Sequence, residues 1–333
     1  MMRTQLKNKV SFYAKFQTSA RRLFASSHFP EGPHVLRLLP RLPPVRVLGP
    51  TLWCLTAASA VYLGCAAYEV RRDVAILKRR LPAGTSISYD DIGASKVTSW
   101  IRSMYSDRGS RLPDILSQDL SSSGKVITGT IAANLGIFAA CRAVPLLGYH
   151  FAHLPSGSAN YTLFTSMFGH AGLMHLGLNM YAFYSFTRPL ARSKTFEDSG
   201  SHLAAFYLST GILASLAQHL ASLWPNPVLR MVPSLGASGG VMAVVGAFGM
   251  TYPDAPIGIV FIPVSFPAHS VLAAVALFEA YGLFIGKWTR LGHAAHLAGL
   301  AAGSAYVHFK GNERLWEPAR RFTFNQMRRL KMV

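Results

Sequence analysis

A segment of about 20 mostly apolar residues is long enough to cross the hydrocarbon of a bilayer. This chain of 333 residues carries seven candidates for such a segment. They are Thr51–Tyr68, Val126–Cys141, Leu163–Phe186, Leu203–Trp224, Leu235–Met250, Ala268–Ile285 and His293–Phe309. Only 14% of the residues are charged and half are hydrophobic, whereas a soluble domain carries about 25% charged residues. The pattern predicts an all-α polytopic membrane protein. One outlying helix at 51–69 is followed by a 55-residue polar connector at 70–124, six closely spaced helices at 125–310 and a basic tail at 311–333.

The formal net charge is +19, which raises nucleic-acid binding as a class. Its distribution argues against that class. Lysine and arginine gather at the two ends and in one loop, while the apolar segments hold almost none. Basic flanks are what a membrane protein shows, because these side chains resist translocation and meet anionic lipid. Residues 1–30 contain Arg3, Lys7, Lys9, Lys15, Arg21 and Arg22, and the first acidic residue is Glu31. This basic, acid-free, serine-containing stretch reads as a mitochondrial transit peptide or as a basic tail. The prolines at 33, 40, 43, 44 and 50 make the rest of residues 1–50 a linker. Cys54, Cys65 and Cys141 lie in apolar stretches, with no zinc or disulfide spacing, and read as small packing residues.

Polar groups inside a membrane span cost about 2.5–3.5 kcal/mol for a central charge, so those present need a reason. The fifth span opens with Gly236-Ala237-Ser238-Gly239-Gly240. Small neighbours leave the Ser238 hydroxyl open to a carbonyl carbon and leave backbone N–H groups able to face an oxyanion. The same motif also suits close helix packing. The seventh span contains His293 and His296, followed by Gly299 and Gly303 on the His296 face. Histidine can act as acid and base near neutral pH, and His293 reads as a solvated or capping residue at the membrane edge. In the third span His175 and Asn179 are four residues apart and share a face. Both can donate to a negative oxygen, or they can simply tie helices together. A metal site built from His170, His175, His293 and His296 lacks the H-E-x-x-H pattern and nearby carboxylates. A serine attacks a peptide carbonyl only with a base and a stabilised oxyanion, and these three spans carry all the residue types required.

In that order, His170-x4-His175-x3-Asn179, Gly236-Ala237-Ser238-Gly239 and Ala295-His296-x2-Gly299-x3-Gly303 resemble the rhomboid protease family, in particular its mitochondrial presenilin-associated branch. The resemblance covers about residues 125–310. It implies a six-helix bundle with one extra N-terminal helix, a Ser238–His296 dyad, an oxyanion site formed by His175, Asn179 and the Ser238 N–H, and close packing through Gly236, Gly239, Gly299 and Gly303. It implies no cofactor and no metal, single-span membrane proteins as substrates, and an N-terminus in the matrix. The chain departs from the family pattern at Met242, where bacterial members have a tyrosine stacked on the base, and at 143–162, which lack the Trp-Arg pair of many members. Glu279 in the sixth span has no role assigned by the resemblance. It reads as lining a cavity or gate, or as a neutral acid bonded to a neighbouring helix. Two other functions stand beside a protease: an idle rhomboid-like binder of membrane segments, and a transporter. The intact Ser238/His296 pair weighs against the first. The lack of an inverted repeat weighs against the second.

Overall fold

The computed structural model describes residues 44–79, 81–82, 85–92, 121–223, 230, 232–259, 262–285 and 292–332. The described residues from Val45 onward belong to one compact unit. The transit segment, residues 31–43 of the linker and most of the connector lie outside the described residues. Among the described residues eight long helices carry the fold: α1 Leu48–Lys78, α2 Ser122–Ala143, α3 Leu173–Ala191, α4 Gly200–Ala221, α5 Ser238–Thr251, α6 Ala268–Phe284, α7 His293–His308 and α8 Glu317–Arg329. By length and composition, α1, α2 and α4 can each cross a membrane, while α5 and α6 are shorter apolar helices. This is a helical polytopic membrane fold.

Local chemistry fixes several helix starts. Ser121 and Ser199 accept hydrogen bonds from the N–H groups of Gly124 and His202 and so cap α2 and α4. Pro50 sits in the first turn of α1, where a missing N–H costs nothing. The third expected span, Leu163–Phe186, is not one helix. A turn at Thr162–Thr165 and a 3-10 turn at Ser166–Phe168 precede α3, which begins only at Leu173. Gly169 permits the break, because a side chain there would run into the Phe151 carbonyl. The all-helical expectation also missed a hairpin. Strand β1 Pro256–Ile259 pairs antiparallel with β2 Ile262–Pro267, Ile257 opposite Phe266. Prolines 253, 256, 263 and 267 exclude a helix there.

The helices form two faces. On one, the starts of α3, α5 and α7 meet the ends of α4 and α6. There His219 near the end of α4 bonds the Arg46 carbonyl just before α1 at 2.7 Å. On the other face α1 continues ten residues beyond Tyr68, the expected end of the first span. Of the residues that marked that end, Glu69 is held inside the protein, Arg72 is partly buried and Arg71 is exposed. Arg320 of α8, with no exposed side-chain surface, pairs with Glu69 at 3.3 Å and Asp73 at 3.0 Å. Its guanidinium also reaches Glu317 at 3.1 Å and donates to the Ile92 carbonyl at 2.8 Å. The tail is thus a docked helix and part of the connector folds with it. Phe324 packs with Val70, Val74, Ile87, Tyr89 and Ile92. Tyr89 donates to Glu317 at 2.6 Å.

Removing Arg320 leaves two buried carboxylates with only the partly exposed Arg72 as a cation. Arg320→Met is expected to destabilise the α1–α8 contact by about 3–5 kcal/mol, read as a lower denaturation midpoint of the detergent-solubilised protein.

Candidate active site

Ser238 owes its position to the extended segment before α5. His153 and Ser234 exchange backbone hydrogen bonds at 2.9 and 2.8 Å, and the Gly236 N–H donates to the Ser166 carbonyl at 2.9 Å. Gly236 has φ +132°, a conformation that other residues avoid. A Cβ there would also lie 2.9 Å from two ring atoms of His175. Helix α5 then starts at Ser238 itself. The first N–H groups of a helix have no intrahelical acceptor and carry its positive dipole end. The Ser238 hydroxyl therefore sits where a developing negative oxygen would be welcomed.

The site is recessed. Helix α5 has 14 residues, about 21 Å at 1.5 Å per residue, against roughly 30 Å of hydrocarbon. Gly239 packs beside Ala214. Helix α4 runs on to Ala221, about 10 Å beyond that contact.

His296 comes from the first turn of α7, and its Nε2 lies 2.7 Å from Ser238 Oγ. Glycines allow this approach. A Cβ on Gly299 would drive into the Gly239 carbonyl, and one on Gly303 into the Ala243 carbonyl. Gly246, which sequence reasoning did not single out, makes the reciprocal contact with the Leu300 carbonyl. Backbone therefore touches backbone along α5 and α7. Gln218 of α4 accepts from the Ala295 N–H at 3.2 Å and fixes the start of α7.

His175 stands across the serine. Ala171 N–H approaches its Nδ1 at 3.4 Å, which leaves Nε2 as the N–H donor. The His170 ring packs edge-on against it, centroids 5.1 Å apart. Asn179 is buried, and its amide nitrogen donates to the His175 carbonyl at 2.8 Å. One of its two N–H donors is thus used within α3. Met242 is partly buried against the main core.

One expectation needs correction. His293 is not a solvated edge residue: it is 4% exposed, and its Nδ1 lies 2.6 Å from Glu279 Oε2. Glu279 is bonded to a neighbouring helix, one of the two readings its place in the sequence allowed. Its other oxygen, Oε1, lies 2.9 Å from His296 Nδ1. The signal was present in the sequence, since a carboxylate in an apolar span requires a partner and two histidines three apart on the next span share a face. Among the described residues no group of three or more His, Cys, Asp or Glu is arranged to hold a metal.

Residues 158–312 match the profile of the rhomboid domain. Over those residues the chain is similar to the rhomboid family. The matched stretch contains every helix that borders Ser238. The mitochondrial presenilin-associated rhomboid-like protein of Bos taurus is 31% identical over 204 residues, 60% of this chain and 52% of that protein. Its Mus musculus counterpart is 32% identical over 203 residues, with the same coverage. The mitochondrial rhomboid protein 1 of Saccharomyces cerevisiae is 34% identical over 144 residues, 42% of this chain and 39% of that protein. The chain spans about half the length of the presenilin-associated relatives it matches.

The packing of α5 against α7 depends on contacts that tolerate no added atoms. Gly303→Ala is expected to cost about 1–3 kcal/mol through overpacking against Ala243. Gly129→Ala on α2, with open space around it, is expected to leave the denaturation midpoint unchanged or raised. The paired melts in detergent check both.

Proposed function

We propose that the chain is an intramembrane serine endopeptidase that cleaves single-span proteins of a mitochondrial membrane, the inner one in our reading. The observation that carries this is the 2.7 Å contact between Ser238 Oγ and His296 Nε2 at the recessed start of α5. The mitochondrial location is supported by the names of the relatives and by the basic N-terminal segment.

Ser238 is the nucleophile and His296 the base. As Oγ bonds to the scissile carbonyl carbon, the hydroxyl proton passes to Nε2, and the carbonyl π pair becomes an oxyanion. The Ser238 N–H and the His175 Nε2–H stabilise that oxyanion. Asn179 adds its second N–H once the substrate is bound. His296 then gives its proton to the leaving nitrogen as the C–N bond breaks. Water, deprotonated by the same imidazole, releases the acyl group and restores Ser238. No cofactor takes part. A substrate helix must unwind at the cleaved bond, because carbonyls within a helix are shielded by their own hydrogen bonds. A binder of membrane segments without chemistry would have no use for a hydrogen-bonded serine and histidine at this position.

The purified chain in detergent is expected to cleave a single-span reporter and to label at Ser238 with a fluorophosphonate. Ser238→Ala and His296→Ala are each expected to lower kcat by about 10³-fold or more. Cleavage by both variants at the wild-type rate would sink the proposal. Tight reporter binding with no cleavage by wild type would instead identify an idle binder.

A further inference from the structure

We infer that Glu279 is a positioning residue for His296, which makes the site a Ser–His–Glu array held together across two helices. The inference rests on the protease reading above and deepens it. Of the 17 residues of α6 only Ala268, Glu279 and Gly282 are buried. Both Glu279 and Gly282 are turned to the first turn of α7. A Cβ on Gly282 would enter the His293 ring, so this glycine sets how near α6 comes. That approach brings the Glu279 carboxylate to both histidines, Oε1 to His296 Nδ1 at 2.9 Å and Oε2 to His293 Nδ1 at 2.6 Å.

The chemical consequence follows from the inventory of an imidazole. An ionised carboxylate only accepts. The Nδ1 proton of His296 is therefore held on the side facing Glu279, and Nε2 is left as the acceptor for the Ser238 hydroxyl. When Nε2 takes that proton, the carboxylate balances the imidazolium charge in apolar surroundings. His293, donating to the second oxygen, keeps the carboxylate from rotating away. This supplies the orientation that a ring stacked from position 242 would otherwise give, since Met242 offers none. Because Glu279 belongs to α6, the position of that sparsely buried helix also controls whether His296 is aligned.

A carboxylate that merely glued α6 to α7 would show the same contacts, so the test separates the two roles. Glu279→Gln, Glu279→Asp and His293→Ala are made in the full chain. Each is compared with wild type and Ser238→Ala for kcat and KM on the single-span reporter, for the fluorophosphonate labelling rate at Ser238, and for the denaturation midpoint. Glu279→Gln is expected to lower kcat and labelling by about 100-fold or more, with KM within about threefold and the midpoint nearly unchanged. Glu279→Asp is expected to recover most of kcat, because it restores the carboxylate. His293→Ala is expected to lower kcat by about tenfold. Glu279→Gln cleaving within about threefold of wild type overturns the inference while leaving the protease reading intact. So does a loss that only follows the midpoint, with no advantage of Asp over Gln. A wild type that neither cleaves nor labels removes both.

Discussion

The contact on which this site depends is backbone against backbone. Helices α5 and α7 meet with a glycine at each close approach: Gly299 on the Gly239 carbonyl, Gly303 on the Ala243 carbonyl and Gly246 on the Leu300 carbonyl. In an apolar medium helices gain little from burying apolar surface. Association relies on packing and polar bonds instead, and small residues permit both. The separation of the two helices then decides whether an imidazole on one reaches a hydroxyl on the other. A leucine-lined interface would hold helices about 8–10 Å apart and leave no room for these contacts. The glycines of α7 are thus part of the site's geometry although they carry no reactive group.

Charge in the chain obeys the same economy of placement. Burying an ion costs several kcal/mol unless its partners are in position. The buried Glu279, Glu69 and Asp73 each gain a partner from another helix. Glu279 of α6 meets two histidines of α7. Glu69 and Asp73 of α1 meet Arg320 of α8, and Ser199 adds a 2.5 Å donation to Glu69. The two clusters lie on opposite faces of the fold. One orders the start of α7, and the other secures α1 to the C-terminal helix. The α1 side is further joined to α7 by polar groups inside the bundle. The hydroxyls of Tyr62 and Tyr306 are 2.7 Å apart, and His202 Nε2 lies 2.6 Å from Tyr306.

What could be read from the sequence was set by range. The helix cores were legible because runs of apolar residues need no partner to be recognised. Ser238, His175 and His296 stood out because polar groups in such runs are costly. The misreadings arose where a residue's environment is supplied from far along the chain. Glu69, Arg71 and Arg72 looked like the end of the first span, yet Arg320, some 250 positions away, takes up Glu69 inside the protein. His293 looked solvated because Glu279 is on another helix. The third span looked continuous because the Gly236 N–H that holds the Ser166 turn cannot be seen from residues 163–186.

The same reasoning explains why Met242 is compatible with a competent base. A stacked ring and a bonded carboxylate do the same physical work: each restricts the orientation of an imidazole that would otherwise rotate about its side-chain bonds. The carboxylate acts at the nitrogen remote from the serine and also sets the tautomer. A ring acts on the face and leaves the proton's position open. With His296 bonded at Nε2 to Ser238 and at Nδ1 to Glu279, both ring nitrogens are occupied. Position 242 is then free to be chosen for packing alone, and the thioether of Met242 fills irregular space against the core there.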